Sequence, residues 1–172
     1  LKKACELSSS AITFPEAVVE YAQNHNRMRP REIGGQNMGP WVRLYMDGNE
    51  GVQWPWCAGF ATFVLAQAAA TRPPVKMTVK RTFSCDMLAS MAKTSVKFVD
   101  GNTKAIHQLI KPGDLFLVRR TAFDWVHTGI VVAVRPDSFT AIEGNTNDDG
   151  SREGYEVCMR IRAYKNHDFV SV

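Results

Sequence analysis

Cys57, four histidines that could serve it as a base, and a carboxylate at Glu143 closely followed by the amide of Asn145 are the groups in this chain able to carry covalent chemistry. Cysteine is a useful nucleophile only as thiolate. Its pKa falls at a helix N-terminus, where the dipole and free N–H groups favour an anion. Pro55 and Trp56 precede Cys57, and a long apolar, alanine-rich stretch begins with it. Ala58 and Gly59 are small, leaving room for a substrate carbonyl at the first turn. A buried structural cysteine fits the same local context.

A thiol nucleophile needs a base that takes its proton and later protonates the leaving amine. His25 closes a polar helix and is expected to be solvated. His107 lies in a segment before the strands, and His167, beside Asn166 and Asp168, is expected in a surface turn. His127 differs, because it starts the apolar strand His127-Thr128-Gly129-Ile130-Val131-Val132 after the loop 121–125. A rigid strand end facing a cleft suits a base; a strand-edge histidine that merely hydrogen-bonds is the plainer alternative. The third requirement is an acceptor that orients the imidazole. Glu143 follows the strand 138–142, and a four-residue turn at 135–138 would return it to a place across from His127. Asn145 is two residues further on and competes for the role, and a solvated carboxylate in an ordinary turn also fits. Trp54, Trp56 and Trp125 either line a cleft or belong to the core.

These side chains need elements to hold them. Thr13-Phe14-Pro15-Glu16 reads as a capping box that opens a helix running through about Asn24, with Phe14, Val18, Tyr21 and Ala22 at helical spacing. Residues 29–39 read as a loop. A short helix is expected over 40–46, with Trp41, Leu44 and Tyr45 on one face. The stretch 57–70 is apolar on nearly every side, as a buried helix would be, and Pro73-Pro74 would end it. Ser84 caps a further helix over about 85–93. Strands follow at 96–99, 115–119, 128–134, 138–142 and 156–164, separated by the turns 111–114, 135–137 and 144–154. Helices first and an antiparallel sheet after make the fold class α+β.

The whole chain, 172 residues with no repeats or low-complexity linkers, reads as one domain, 1–172. The net charge of +4 suits solubility or an anionic partner such as a cell wall. The positive charges are scattered and lack interleaved base-stacking aromatics, so no nucleic acid is expected. No apolar run reaches the ~20 residues of a membrane span, and no signal-peptide core follows Leu1-Lys2-Lys3. An opening Leu in place of Met is expected of a processed form or an excised segment. The four cysteines show no CxxC spacing, so neither a structural zinc site nor a disulfide scaffold is expected.

Three motifs in order resemble the CHAP family (cysteine, histidine-dependent amidohydrolases/peptidases) within the NlpC/P60-like, papain-like group. They are Trp54-Pro55-Trp56-Cys57-Ala58-Gly59-Phe60-Ala61, then Lys111-Pro112-Gly113-Asp114-Leu115 followed by His127-Thr128-Gly129-Ile130-Val131, then Ile142-Glu143-Gly144-Asn145-Thr146. The likeness covers roughly residues 14–164, and Asn37 to Val42 with Tyr45 resembles a short helix that precedes the nucleophile in relatives. It implies a papain-like fold, with the nucleophile helix packed on an antiparallel sheet. It implies a Cys57, His127 and Glu143 or Asn145 mechanism cutting amide bonds of peptidoglycan, as an N-acetylmuramoyl-L-alanine amidase or a murein endopeptidase. Phage lysins and secreted antibacterial effectors are settings for such domains, the latter with an immunity protein as partner. The implied place of work is the cell wall, periplasm or exterior, by a monomer without cofactor. By analogy with the group, the Cys57 N–H and the Gln53 side chain are oxyanion donors. Some relatives bind calcium near the nucleophile, but Asp47, Asn49 and Glu50 lack a full ligand set, so no metal is expected. An amidase or acyltransferase acting on another substrate, and a non-catalytic wall- or partner-binding module, are the competing functions.

Overall fold

A computed structural model of the chain describes residues 13–71, 75, 77, 79–147 and 154–172. Within them, four helices precede or flank a six-stranded antiparallel sheet, an α+β arrangement. No helix among the described residues is long and apolar enough to cross a membrane.

Helix α1, Phe14–Met28, begins where the capping box requires, with the Thr13 N–H donating to Glu16 Oε2 at 2.7 Å. It runs a turn beyond the expected end at Asn24 and stops at Arg29, whose φ of 50° is left-handed. The extra turn corrects the reading of His25. Position 25 continues the stripe of Val18, Tyr21 and Ala22, so His25 is buried, bonded to the Tyr45 hydroxyl at 2.9 Å and to Gln67 Oε1 at 3.0 Å. Helix α2, Pro40–Tyr45, supplies that tyrosine. Helix α3, Cys57–Thr71, is buried on nearly all sides over its first half. Its expected terminator, Pro73-Pro74, lies outside the described residues. Arg81 secures α3 to the preceding loop, donating to the carbonyls of Gly59 and Tyr45, each at 2.6 Å, and pairing with Asp47. Helix α4, Cys85–Thr94, is capped by Ser84, whose hydroxyl accepts from the Met87 N–H at 3.3 Å.

The strands are β1 (Phe98–Val99), β2 (Leu115–Thr121), β3 (Asp124–Val134), β4 (Ser138–Thr146), β5 (Glu156–Ala163) and β6 (His167–Val170), ordered β1-β6-β2-β3-β4-β5. Alternation sends Leu115, Leu117, Ile130, Ile142 and Val170 to the helix side, and Phe116, Val131, Phe139, Ala141 and Phe169 to a second apolar cluster. Burying each of those phenylalanines contributes about 2–3 kcal/mol. Strand β1 is shorter than expected, because Val96 adopts a left-handed φ of 59° and is exposed.

Strand β6 was not anticipated, and it corrects the placement of His167. That residue is buried in a strand inserted between β1 and β2, and not in a surface turn. Two of the four residues of β6 are polar, which hides the apolar pattern. Their cost is offset by partners: Asp168 accepts from the Trp125 indole at 2.8 Å and from the Gly101 N–H at 2.9 Å, and the His167 ring pairs with the Lys165 carbonyl at 2.8 Å. The turn 111–114 also serves the sheet. Gly113 takes a φ of 101°, and the Asp114 carboxylate accepts from Lys111 N–H at 2.9 Å and Val172 N–H at 3.1 Å.

Candidate active site

Cys57 is the first residue of α3, so its sulfur lies at the positive end of the helix and accepts from the Ala58 N–H. On the sheet, the hairpin joining β3 and β4 pairs Ile130 with Ile142, and Arg135 N–H closes its turn on the Ser138 carbonyl at 2.8 Å. That register carries Glu143 back toward His127, whose Nε2 and Glu143 Oε2 are 2.8 Å apart. His127 is the fourth residue of β3, because β3 begins at Asp124 and the β2–β3 hairpin extends past a bulge near Val118. Glu143 likewise lies inside β4, which continues to Thr146.

The carboxylate is doubly held. Arg162 of β5 donates from Nε to Glu143 Oε1 at 2.8 Å and from Nη2 to Oε2 at 2.6 Å, a forked pairing that fixes both position and plane. With Nε2 committed to Glu143, the His127 ring has Nδ1 as its second nitrogen, and that atom is buried with no hydrogen-bond partner of its own. Cys57 and His127 act on one another electrostatically. Nδ1 is therefore the atom left to serve the sulfur.

Gly129 makes the imidazole–carboxylate contact possible. A Cβ there would come within 2.8 Å of Glu143 Cγ, of the Ile142 carbonyl oxygen and of the Phe116 ring. Gly129→Ala is expected to displace Glu143, costing about 1–3 kcal/mol of stability and roughly 10²-fold in kcat. A thermal melt and a rate measurement on the purified variant check this, and turnover equal to the parent would contradict the role given to the close approach.

The charges alternate along this row. Contact with the Cys85 thiol, the charge of His127 and the Ala58 N–H together outweigh burial and hold the Cys57 thiol well below the ordinary range. Burial acts to lower the His127 pKa, yet the Cys57 charge and the charge and hydrogen bond of Glu143 raise it to about 9. Burial would raise Glu143, but hydrogen bonds from Arg162 and His127 keep it below the usual carboxylate value. These directions all favour the charged row of thiolate, imidazolium, carboxylate and guanidinium. A thiolate–imidazolium pair is equipped for nucleophilic attack followed by proton delivery.

Other expected site residues fall differently. Asn145 is buried and takes a left-handed φ of 56° where the β4–β5 register shifts; the bond to the imidazole is made by Glu143. Trp56, for which cleft and core were both open, belongs to the core and does not line the cleft: it is fully buried, stacks on Tyr45 at 5.6 Å and donates to Glu32 at 2.9 Å. Gln53 is exposed, lies over Gly51 and does not line the cleft at Cys57. Trp125 does line it, with Pro55, Phe83, Cys85 and Asp86, in a polar cleft of about 230 Å³. A larger hollow of about 420 Å³ lies along α1 beside Glu20 and Arg27, and its lining carries no nucleophile. Of the groups considered for calcium, the Asp47 carboxylate pairs with Arg81 and the Glu50 carboxylate with Arg43, while the Asn49 amide nitrogen donates to the Met46 carbonyl.

Two site residues escaped the sequence. Arg162 carries no local mark beyond its alternation with Arg160, and its side chain reaches Glu143 while lying over the Phe116 ring. Cys85 stood out only as a spare cysteine, and the sulfur–sulfur distance of 3.9 Å to Cys57 is a product of the α3–α4 packing. Comparison with protein-family models, with curated proteins and with solved structures returned no match.

Proposed function

We propose that the chain is a papain-like cysteine hydrolase of the CHAP and NlpC/P60 group that cleaves amide bonds in peptidoglycan. One observation supports this above the others. His127 bonds Glu143 through one ring nitrogen and keeps the other for a cysteine at a helix N-terminus. The three motifs that resemble the group are the ones that supply these residues.

In this reading the Cys57 thiolate attacks the amide carbonyl carbon. The oxyanion is met by the Cys57 backbone N–H, which as the first of α3 has no i−4 partner in the helix. His127 passes its proton to the leaving nitrogen, the C–N bond breaks, and a thioester remains on Cys57. His127, now neutral, takes a proton from water, whose oxygen attacks the thioester; the acid is released and the thiolate restored. Glu143 and Arg162 keep the imidazole in the plane and tautomer these steps need. The murein assignment rests on the family likeness, and the net charge of +4 accords with an anionic wall polymer. The place of action would be the wall, periplasm or exterior.

The test is digestion of purified sacculi followed by mass spectrometry. Free muramic acid carboxyls and new L-alanine N-termini are expected of an amidase, and new termini within the stem peptides or cross-links of an endopeptidase. Intact sacculi in the presence of a demonstrably reactive Cys57 would overturn the substrate and leave the thiol chemistry standing.

A further inference from the structure

The sulfurs of Cys57 and Cys85 lie 3.9 Å apart, both in the wall of the same cleft. Each cysteine is the first residue of a helix, α3 and α4, so two helix N-termini converge on this pair of sulfurs. Asp86, next to Cys85, accepts from the Trp125 N–H at 2.8 Å and thereby ties α4 to the strand that carries His127. The close pair is thus set in packed elements and not in loops. Neither Cys57 nor Cys85 is in a disulfide.

We infer that Cys57 and Cys85 are a redox modification site, in which a peroxide converts the nucleophile reversibly to a Cys57–Cys85 disulfide. The steps balance. The Cys57 thiolate attacks one peroxide oxygen, the O–O bond breaks, and sulfenic acid forms as hydroxide leaves and takes up a proton to become water. Cys85 loses its proton and attacks the Cys57 sulfur; the S–S bond forms, the S–O bond breaks, and a second water leaves. Two thiols are oxidised by two electrons, and one peroxide is reduced. Closing 3.9 Å to the ~2.05 Å of a disulfide is within side-chain rotation for residues at abutting helix starts. Placement at a helix N-terminus favours the thiolate form of Cys57, which the first step requires. The disulfide would switch off the enzyme and spare Cys57 from irreversible oxidation to sulfinic acid. The inference rests on the activated thiol proposed above and not on the murein assignment.

The experiment exposes the full-length protein to hydrogen peroxide and maps it by non-reducing digestion and mass spectrometry, without any substrate. The expected result is loss of two hydrogens, a peptide joining Cys57 to Cys85, loss of Cys57 alkylation by iodoacetamide, and recovery of alkylation with dithiothreitol. In Cys85→Ser, the same treatment is expected to carry Cys57 on to sulfinic acid, which dithiothreitol does not reverse. Sulfinic acid at Cys57 in the parent protein, or a disulfide mapped to Cys5 or Cys158, would overturn the inference. Sacculus digestion fails or succeeds independently of this map, so the two readings part cleanly.

Discussion

Replacing Cys57 by alanine is expected to lower turnover of muropeptides by ~10⁴-fold or more, which measured kcat on purified sacculi would show. In the proposed mechanism the sulfur forms the thioester, and removing it leaves the cleft with no nucleophile supported by a base. Cys85 lies 3.9 Å from the lost sulfur, but the buried imidazole acts on Cys57. Truncation to alanine removes one atom from a site whose backbone is held in α3, so substrate affinity and the melting temperature should change little. A second readout follows from coupling. The His127 pKa is raised to about 9 partly by the Cys57 charge. In Cys57→Ala that charge is gone, and a histidine titration followed by NMR should move down from about 9. A variant that retained even a hundredth of the parent turnover would rule out Cys57 as the covalent nucleophile.

Loss of His127 comes next in size. His127→Ala is expected to reduce kcat by on the order of 10⁴-fold, because one group supplies both the proton for the leaving amine and the cation that stabilises the thiolate. The sign of the pH dependence is determined by the same pair. Cys57 titrates well below an ordinary thiol and His127 at about 9. The active ion pair therefore exists between those two limits. Activity should rise as Cys57 ionises, hold across neutral pH, and fall through about pH 9 as His127 loses its proton. In His127→Ala the neighbouring positive charge is absent, so the pH at which iodoacetamide alkylates Cys57 should move upward toward that of an ordinary thiol. Alkylation mapped peptide by peptide checks this without needing a substrate. An unchanged midpoint would show that His127 does not stabilise the thiolate.

The parts of the site visible in the sequence were those governed by local rules. A cysteine opening an apolar helix, a histidine near the start of a strand, and a carboxylate returned by a short hairpin follow from capping, periodicity and register. Hairpin geometry brought Glu143 back to His127, and the 2.8 Å contact bears that out. The choice between Glu143 and Asn145 required the left-handed turn at Asn145. Arg162 and Cys85 reach the site through long-range packing, for which no local pattern exists. The misplaced residues share one cause. Polarity and neighbours put His25 and His167 at the surface, whereas specific partners, Tyr45 and Gln67 for one and Lys165 for the other, make their burial tolerable. Strand β6 is hidden for the same reason, since the polar pair His167-Asp168 followed by the apolar pair Phe169-Val170 lacks a period-2 pattern in a strand buried along its whole length.

Strand β6 also bears on how the protein is made. It is the last strand in chain order, yet it is an interior member of the sheet, wedged between β1 and β2. A nascent chain that has emerged from the ribosome as far as Ala163 already contains Cys57, His127, Glu143 and Arg162. At that stage the edge of β2 is unpaired, and the Trp125 indole lacks its Asp168 acceptor. Alignment of the row Cys57, His127, Glu143 and Arg162 is thereby tied to the arrival of β6. A ribosome-stalled or C-terminally trimmed chain would hold every reacting residue and still be unable to close the sheet that aligns them.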